Sequence, residues 1–157
     1  MPFSPTRFLA AVDPGVNTSG VAVFGDRLLI GAWITRAENE STMIHALHRR
    51  LGDYEEMVIE RPTVYSRNSK GDPDDLLRIT LVAGGAAASS LGSVYFVEPR
   101  TWKGQVPKGI HHERVREALS PVEQRFLREA LQLAPASLQH NMLDAVGLGL
   151  WHLGRLK

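Results

Sequence analysis

The chain opens on short apolar runs separated by turn residues. Phe8 to Val12 is continuously apolar and stops at Asp13-Pro14-Gly15, where proline and glycine break a strand. Gly20 to Phe24 is a second run and Leu28 to Ile34 a third, joined by Gly25-Asp26, a Gly-X pair suited to a two-residue hairpin turn. This pattern predicts a three-stranded antiparallel meander. The period then changes. Met43, Ile44, Leu47 and Leu51 share one helical face within Asn39 to Leu51, with Asn39 or Ser41 as the cap. Met57 to Glu60 predicts a fourth strand, ended by Arg61-Pro62, and Thr63 to Pro73 a polar loop. Asp74 to Ser90 reads as a long apolar helix, and Ser93 to Val97 as a fifth strand stopped by Pro99.

Arg100 to Gly109 reads as a basic loop, followed by helices near residues 110–119 and 121–133. Ser120-Pro121 with Glu123 is a good start signal for the second of these. Pro135 breaks it, and Leu138 to Leu156 closes the chain as a helix. Because the last two strands each follow a helix, right-handed crossovers would place them parallel in one mixed sheet. The expected class is α/β: a five-stranded sheet, three antiparallel strands then two parallel, with helices on both faces, in a single domain over residues 1–157.

Composition narrows the chemistry. Apolar residues make up 43% and charged residues 22% of 157, which is globular rather than disordered. With no cysteine, disulfides and thiolate metal sites are excluded and a reducing cytoplasmic setting is the expectation. Met1 to Arg7 does not read as a signal peptide, and no apolar run approaches a membrane span. The net charge of +1 says little, since acidic and basic patches on one molecule cancel.

Those patches are visible. Asp13 ends the first strand and Glu60 the fourth; Asn141 and Asp144, three residues apart, share one face of the last helix. Each acidic residue adjoins an apolar stretch, where a charge is costly unless it is paired or binds a cation. Carboxylate oxygens suit Mg²⁺ or Mn²⁺, and two such ions about 4 Å apart can serve phosphodiester hydrolysis. Taken singly, each residue has a plainer reading: a turn Asp, a strand end paired with Arg61, a helix salt-bridge partner.

Together the segments resemble a known family. Ala11-Val12-Asp13-Pro14-Gly15 with Gly20, then Val58-Ile59-Glu60, then His140-Asn141-Met142-Leu143-Asp144-Ala145, resemble the three acidic motifs of RuvC-type Holliday-junction resolvases, in order and over nearly the whole chain. Trp102-Lys103-Gly104-Gln105-Val106-Pro107-Lys108 resembles a segment of phage-encoded relatives. The resemblance implies an RNase H-like fold, a homodimer, and paired nicking of four-way DNA junctions with Mg²⁺ (or Mn²⁺), two ions to a site, in the cytosol of a bacterial host if the chain is phage-encoded. It implies Asp13, Glu60 and Asp144 as catalytic metal ligands. Three residues before Asp144 the family has Asp or His where this chain has Asn141, which can offer an uncharged carbonyl oxygen. Either Asn141 or His140 then completes the site.

Arg100, Lys103, Lys108, Arg114 and Arg116 fall within 17 residues, with His111 and His112 among them. A basic segment beside carboxylates suits a phosphate backbone crossing an active site. By the resemblance, Lys103 or Lys108 touches the scissile phosphate, and the loop after Glu60 enters the junction, with Arg67 and Lys70 on DNA and Tyr65 as a wedge between bases. Three other readings use the same residues: a related nuclease acting on RNA, flaps or other branched DNA; a fragment of an actin-like phosphotransferase, whose phosphate loop resembles the first motif; and a catalytically dead DNA-binding module.

Overall fold

The described residues of the computed structural model are 6–64 and 71–157; Tyr65, Arg67 and Lys70 lie outside them. Five strands form, β1 (Phe8–Asp13), β2 (Thr18–Gly25), β3 (Leu28–Arg36), β4 (Glu56–Glu60) and β5 (Ser93–Val97), in the sheet order β3-β2-β1-β4-β5. β1 pairs antiparallel with β2 and β2 with β3, whereas β1–β4 and β4–β5 are parallel. The expected mixed sheet is therefore present. β1 lies in the middle, and Leu9 to Val12 is buried on both sides, which is why that stretch is apolar without alternation.

Successive β1 side chains serve opposite faces. Ala10 and Val12 pack with Met43 and Leu47 of α1 (Glu40–Arg50) and Val82, Ala83 and Ala86 of α2 (Pro73–Ala88). Leu9 and Ala11 join the other core, with α6 (Gln139–His152), α4 (Lys108–Glu117) and α5 (Pro121–Gln132). Every residue of α6 from Met142 to Leu150 is buried, so this helix is apolar nearly all round. It reaches the sheet because β2 gives way: a Cβ on Gly20 would overlap the Asn141 carbonyl. Gly20 is the register partner of Asp13, so that contact brings the start of α6 to the end of β1.

Three local expectations are corrected. The β2–β3 turn is Asp26-Arg27, not Gly25-Asp26: Gly25 pairs with Leu28, and both turn residues have positive φ (45° and 73°). That backbone is costly for a side chain such as arginine, about 1–2 kcal/mol. Long-range contacts hold it, with Arg7 and Asp26 exchanging two hydrogen bonds and Arg155 Nη1 donating to the Arg27 carbonyl at 2.6 Å. Second, the basic loop contains a short helix, α3 (Pro99–Trp102), and α4 begins earlier than expected at Lys108. Third, α6 ends at His152. Gly154, at φ +70°, closes it in a Schellman motif, with Gly154 and Arg155 N–H donating to the Trp151 and Leu150 carbonyls.

Candidate active site

In a sheet with parallel strands, functional groups gather beyond the carboxyl ends of those strands. β1 and β4 are adjacent and parallel, with Val12 opposite Ile59, so Asp13 and Glu60 leave the sheet side by side. α6 crosses the same end and adds Asp144, one turn beyond the Gly20 contact.

One ammonium group joins two of these carboxylates. Lys103, just after α3, places Nζ 2.9 Å from Glu60 Oε2 and 3.3 Å from Asp144 Oδ2. The same nitrogen lies 4.7 Å from the centre of the Trp102 ring, and the Trp102 indole N–H donates to Glu60 Oε2 at 2.9 Å. On its other side, Asp144 Oδ1 meets His112 Nε2 of α4 at 3.0 Å. α4 packs closely enough to deliver that ring because α6 carries Gly147, where a Cβ would press on Val115 and Trp102.

The charges are unevenly compensated. Burial raises the Asp13 carboxyl well above its ordinary value, and the negative charges of Glu60 and Asp144 push it further in the same direction; Lys103 and Lys108 offset part of this. Burial also works against a charged Asp144, but the hydrogen bond from His112 and the nearby Lys103 ammonium outweigh it and hold that carboxyl below its usual value. Lys103 behaves likewise: burial disfavours its charge, yet Glu60, Asp144 and Asp13 raise its pKa. Burial lowers the pKa of His111.

Glu60, Asp144, Lys103 and His111 line a cleft of about 440 Å³, together with Arg100, Lys108 and the Gly104-Gln105-Val106 turn. Of the expected DNA contacts, Arg100, Lys103 and Lys108 thus share the cleft with the carboxylates, while Arg114 sits exposed near the far end of α4. Asn141 points its amide nitrogen back at the Leu138 carbonyl (3.3 Å). Among the described residues, no hydrogen bond or ion pair joins His140 to Asp13, Glu60 or Asp144. Two contributors were not legible as such in the sequence: His112, noted only within the basic segment, and Trp102, noted only within the segment that resembles phage-encoded relatives. Trp102 belongs to the core, but its polar edge faces Glu60.

By sequence, no protein-family model and no curated protein matches the chain. Solved structures do match. T. thermophilus RuvC in complex with Holliday junction substrate superposes with a TM-score of 0.62 at 18% identity, over 96% of this chain and 98% of that one. The fold is shared with RuvC. The fowlpox virus resolvase bound to its substrate Holliday junction DNA gives 0.58 at 14% identity, over 94% and 97%, and the fowlpox virus Holliday junction resolvase in a second structure gives 0.55. At these identities the likeness establishes architecture, and the RuvC-like fold accounts for the full strand order and the late helix that crosses β1 and β2.

A divalent cation fits this site in its donor chemistry. Glu60 and Asp144 already converge on one cationic group, and Asp13 lies within their field. Among the described residues no three acidic or histidine side chains cage an ion as they stand; Glu60 and Asp144 are instead bridged by the Lys103 ammonium.

Proposed function

We propose that this chain is a divalent-metal-dependent endonuclease that resolves four-way DNA junctions. The observation that carries the reading is the convergence of Glu60 and Asp144, from separate elements, in a cleft they share with Arg100, Lys103 and Lys108, with Asp13 close enough behind them to feel both of their charges. The likeness to junction-bound RuvC and fowlpox resolvase supports the substrate class.

In this reading Asp13, Glu60 and Asp144 hold Mg²⁺, with Mn²⁺ as a substitute and two ions to a site, and Asn141 or His140 stands ready to complete it. The metal supplies Lewis-acid activation of a water and offsets charge on the leaving oxygen. The protein's own groups do the rest. Arg100 and Lys108 bind the phosphate backbone along the cleft, and Arg114, Arg67 and Lys70 add further backbone contacts. Lys103, displaced from the carboxylates, neutralises charge on the scissile phosphate. Asp13, whose carboxyl is raised by burial and by its acidic neighbours, would have to be ionised to hold a cation, so binding would favour loss of its proton. Tyr65 wedges into the junction.

Two cuts per junction require two sites, so the active form is a homodimer acting on DNA in the cytosol, the bacterial host's if the gene is a phage's. Leu77 and Leu81 of α2 and Phe96 of β5, all exposed, give it an apolar face to associate through. No described helix is long and apolar enough to cross a membrane.

The test is cleavage of a labelled synthetic four-way junction with Mg²⁺ or Mn²⁺, beside duplex, flap, single-stranded and RNA controls. Paired nicks confined to the junction are expected. Equal cutting of flaps or RNA would replace the substrate assignment, and binding without cutting would leave a DNA-binding module.

A further inference from the structure

The resemblance expects an acidic or histidine side chain on the last helix, one turn before Asp144, and this chain has Asn141 there, its amide turned toward Leu138. An imidazole nevertheless reaches Asp144, and it comes from a different element. We propose that His112 is the positioning residue of the site: it clamps Asp144 Oδ1 so that Oδ2 is presented to Glu60 and the cleft. The inference rests on the metal-dependent reading above and assigns a role to a residue outside the acidic motifs.

The geometry supports it from both ends. A carboxylate only accepts hydrogen bonds, so Nε2 of His112 carries the hydrogen at 3.0 Å. The other oxygen, Oδ2, is the one that meets a cation, at present Lys103. Asp144 therefore has one oxygen for orientation and one for charge, the division of labour expected when an outer partner fixes a ligand. His112 is itself held: it is buried on α4, its ring centre lies 5.9 Å from that of His111, and His111 packs edge-on against Trp102, which in turn holds Glu60. A single packed chain of rings, from Trp102 through His111 to His112, thus orients two carboxylates on separate elements. Neither ring nitrogen of His140 makes such a contact among the described residues.

The experiment compares H112Q, whose amide can donate from a similar position, with H112L, which fills comparable space without a donor. Mn²⁺ alone is titrated into each full-length protein and followed by the electron-paramagnetic-resonance signal of free Mn²⁺; thermal melts confirm folding, and junction binding is measured in EDTA. H112L should bind Mn²⁺ about 10–100-fold more weakly than wild type, H112Q should recover most of the loss, and EDTA junction binding should be equal in all three. Equal Mn²⁺ affinity in H112L and wild type, or no recovery in folded H112Q, overturns the proposal. A metal-free readout separates this failure from failure of the nuclease reading. Long-range ¹H–¹⁵N spectra should place hydrogen on Nε2 of His112, and a bare Nε2 sinks the clamp even if the wild type cuts junctions. Conversely, wild type that neither binds Mn²⁺ nor cuts removes the nuclease reading and the positioning role with it.

Discussion

Two buried charge clusters in this molecule are built to opposite ends. Near the β2–β3 hairpin, Glu123 meets Arg155 through two parallel 2.8 Å bonds and also accepts from the Leu29 and Ser120 backbone N–H groups at 2.7 and 2.9 Å. One carboxylate faces one guanidinium, and both oxygens are fully occupied. Burial alone would raise this carboxyl, but the Arg155 bonds and the two backbone donors bring it down to about 2. At the other cluster, two carboxylates share Lys103 while Asp13 feels it only through space, and no hydrogen bond to the Asp13 carboxyl is made among the described residues. The first cluster is closed and serves stability. The second is open: ionising all three acids would leave negative charge that Lys103 alone does not neutralise, and on the proposed reading a cation offsets it.

The contrast is broken most sharply at Asp13. Asp13→Asn should lower junction nicking by roughly 10³-fold or more, since metal-held charge stabilisation is worth several kcal/mol. In EDTA the same variant should melt higher than wild type by a margin that grows as pH rises, because wild type must then ionise a third carboxyl in a crowded, buried site while Asn stays neutral. A fall in both activity and melting temperature would show that Asp13 is a structural group instead.

Glu123→Gln should do the reverse. Loss of one partner from a buried pair costs about 3 kcal/mol, while nicking per folded molecule stays near wild type. The acid limb should change as well. Glu123 has a depressed folded pKa, so its contribution is fully present above its unfolded value near 4.5 and is lost as pH falls toward about 2. Urea titrations between pH 5 and 2 should show a shallower decline for the variant than for wild type.

A smaller effect is expected at Trp102→Phe, which keeps an aromatic ring in the core but removes the pyrrole edge and the N–H that holds Glu60. One hydrogen bond to a charged group is worth about 1.5–3 kcal/mol, so Mn²⁺ affinity should drop on the order of tenfold, with a melting temperature lowered by a few degrees through the lost core volume. The smallest signal is the proton count. Asp13 has a raised folded pKa, so the stability it contributes to the metal-free protein is present at low pH and is lost as pH rises through that value. Metal entry should therefore release protons, and calorimetry of Mn²⁺ binding in buffers of different ionisation enthalpy should detect more release in wild type than in Asp13→Asn.

How much of this could be read from the sequence depended on the range of the forces involved. The strands were legible because their apolar runs and turn residues are local, and Gly20 and Asp144 stood out within short motifs. The hairpin turn was placed one residue early because the positive φ of Arg27 is sustained by Arg155, far along the chain. α4 gave no start signal, since Pro107 caps it without a side-chain hydrogen bond. The end of α6, by contrast, was marked by Gly154 and could have been found. His112 looked like one more basic residue, because its partner Asp144 is 32 positions away and only packing between α4 and α6 unites them.

The Gly20 contact, which seats α6 against the end of β1, has a consequence for the order of synthesis. Asp13 leaves the ribosome 131 residues before Asp144, an interval on the order of 10 s at ordinary elongation rates. Until α6 is laid down, Asp13 and Glu60 have no third acid beside them and Lys103 has only part of its cage. On the proposed nuclease reading, a nascent or prematurely terminated chain would lack the third acid of the site, and cutting would wait for the last helix.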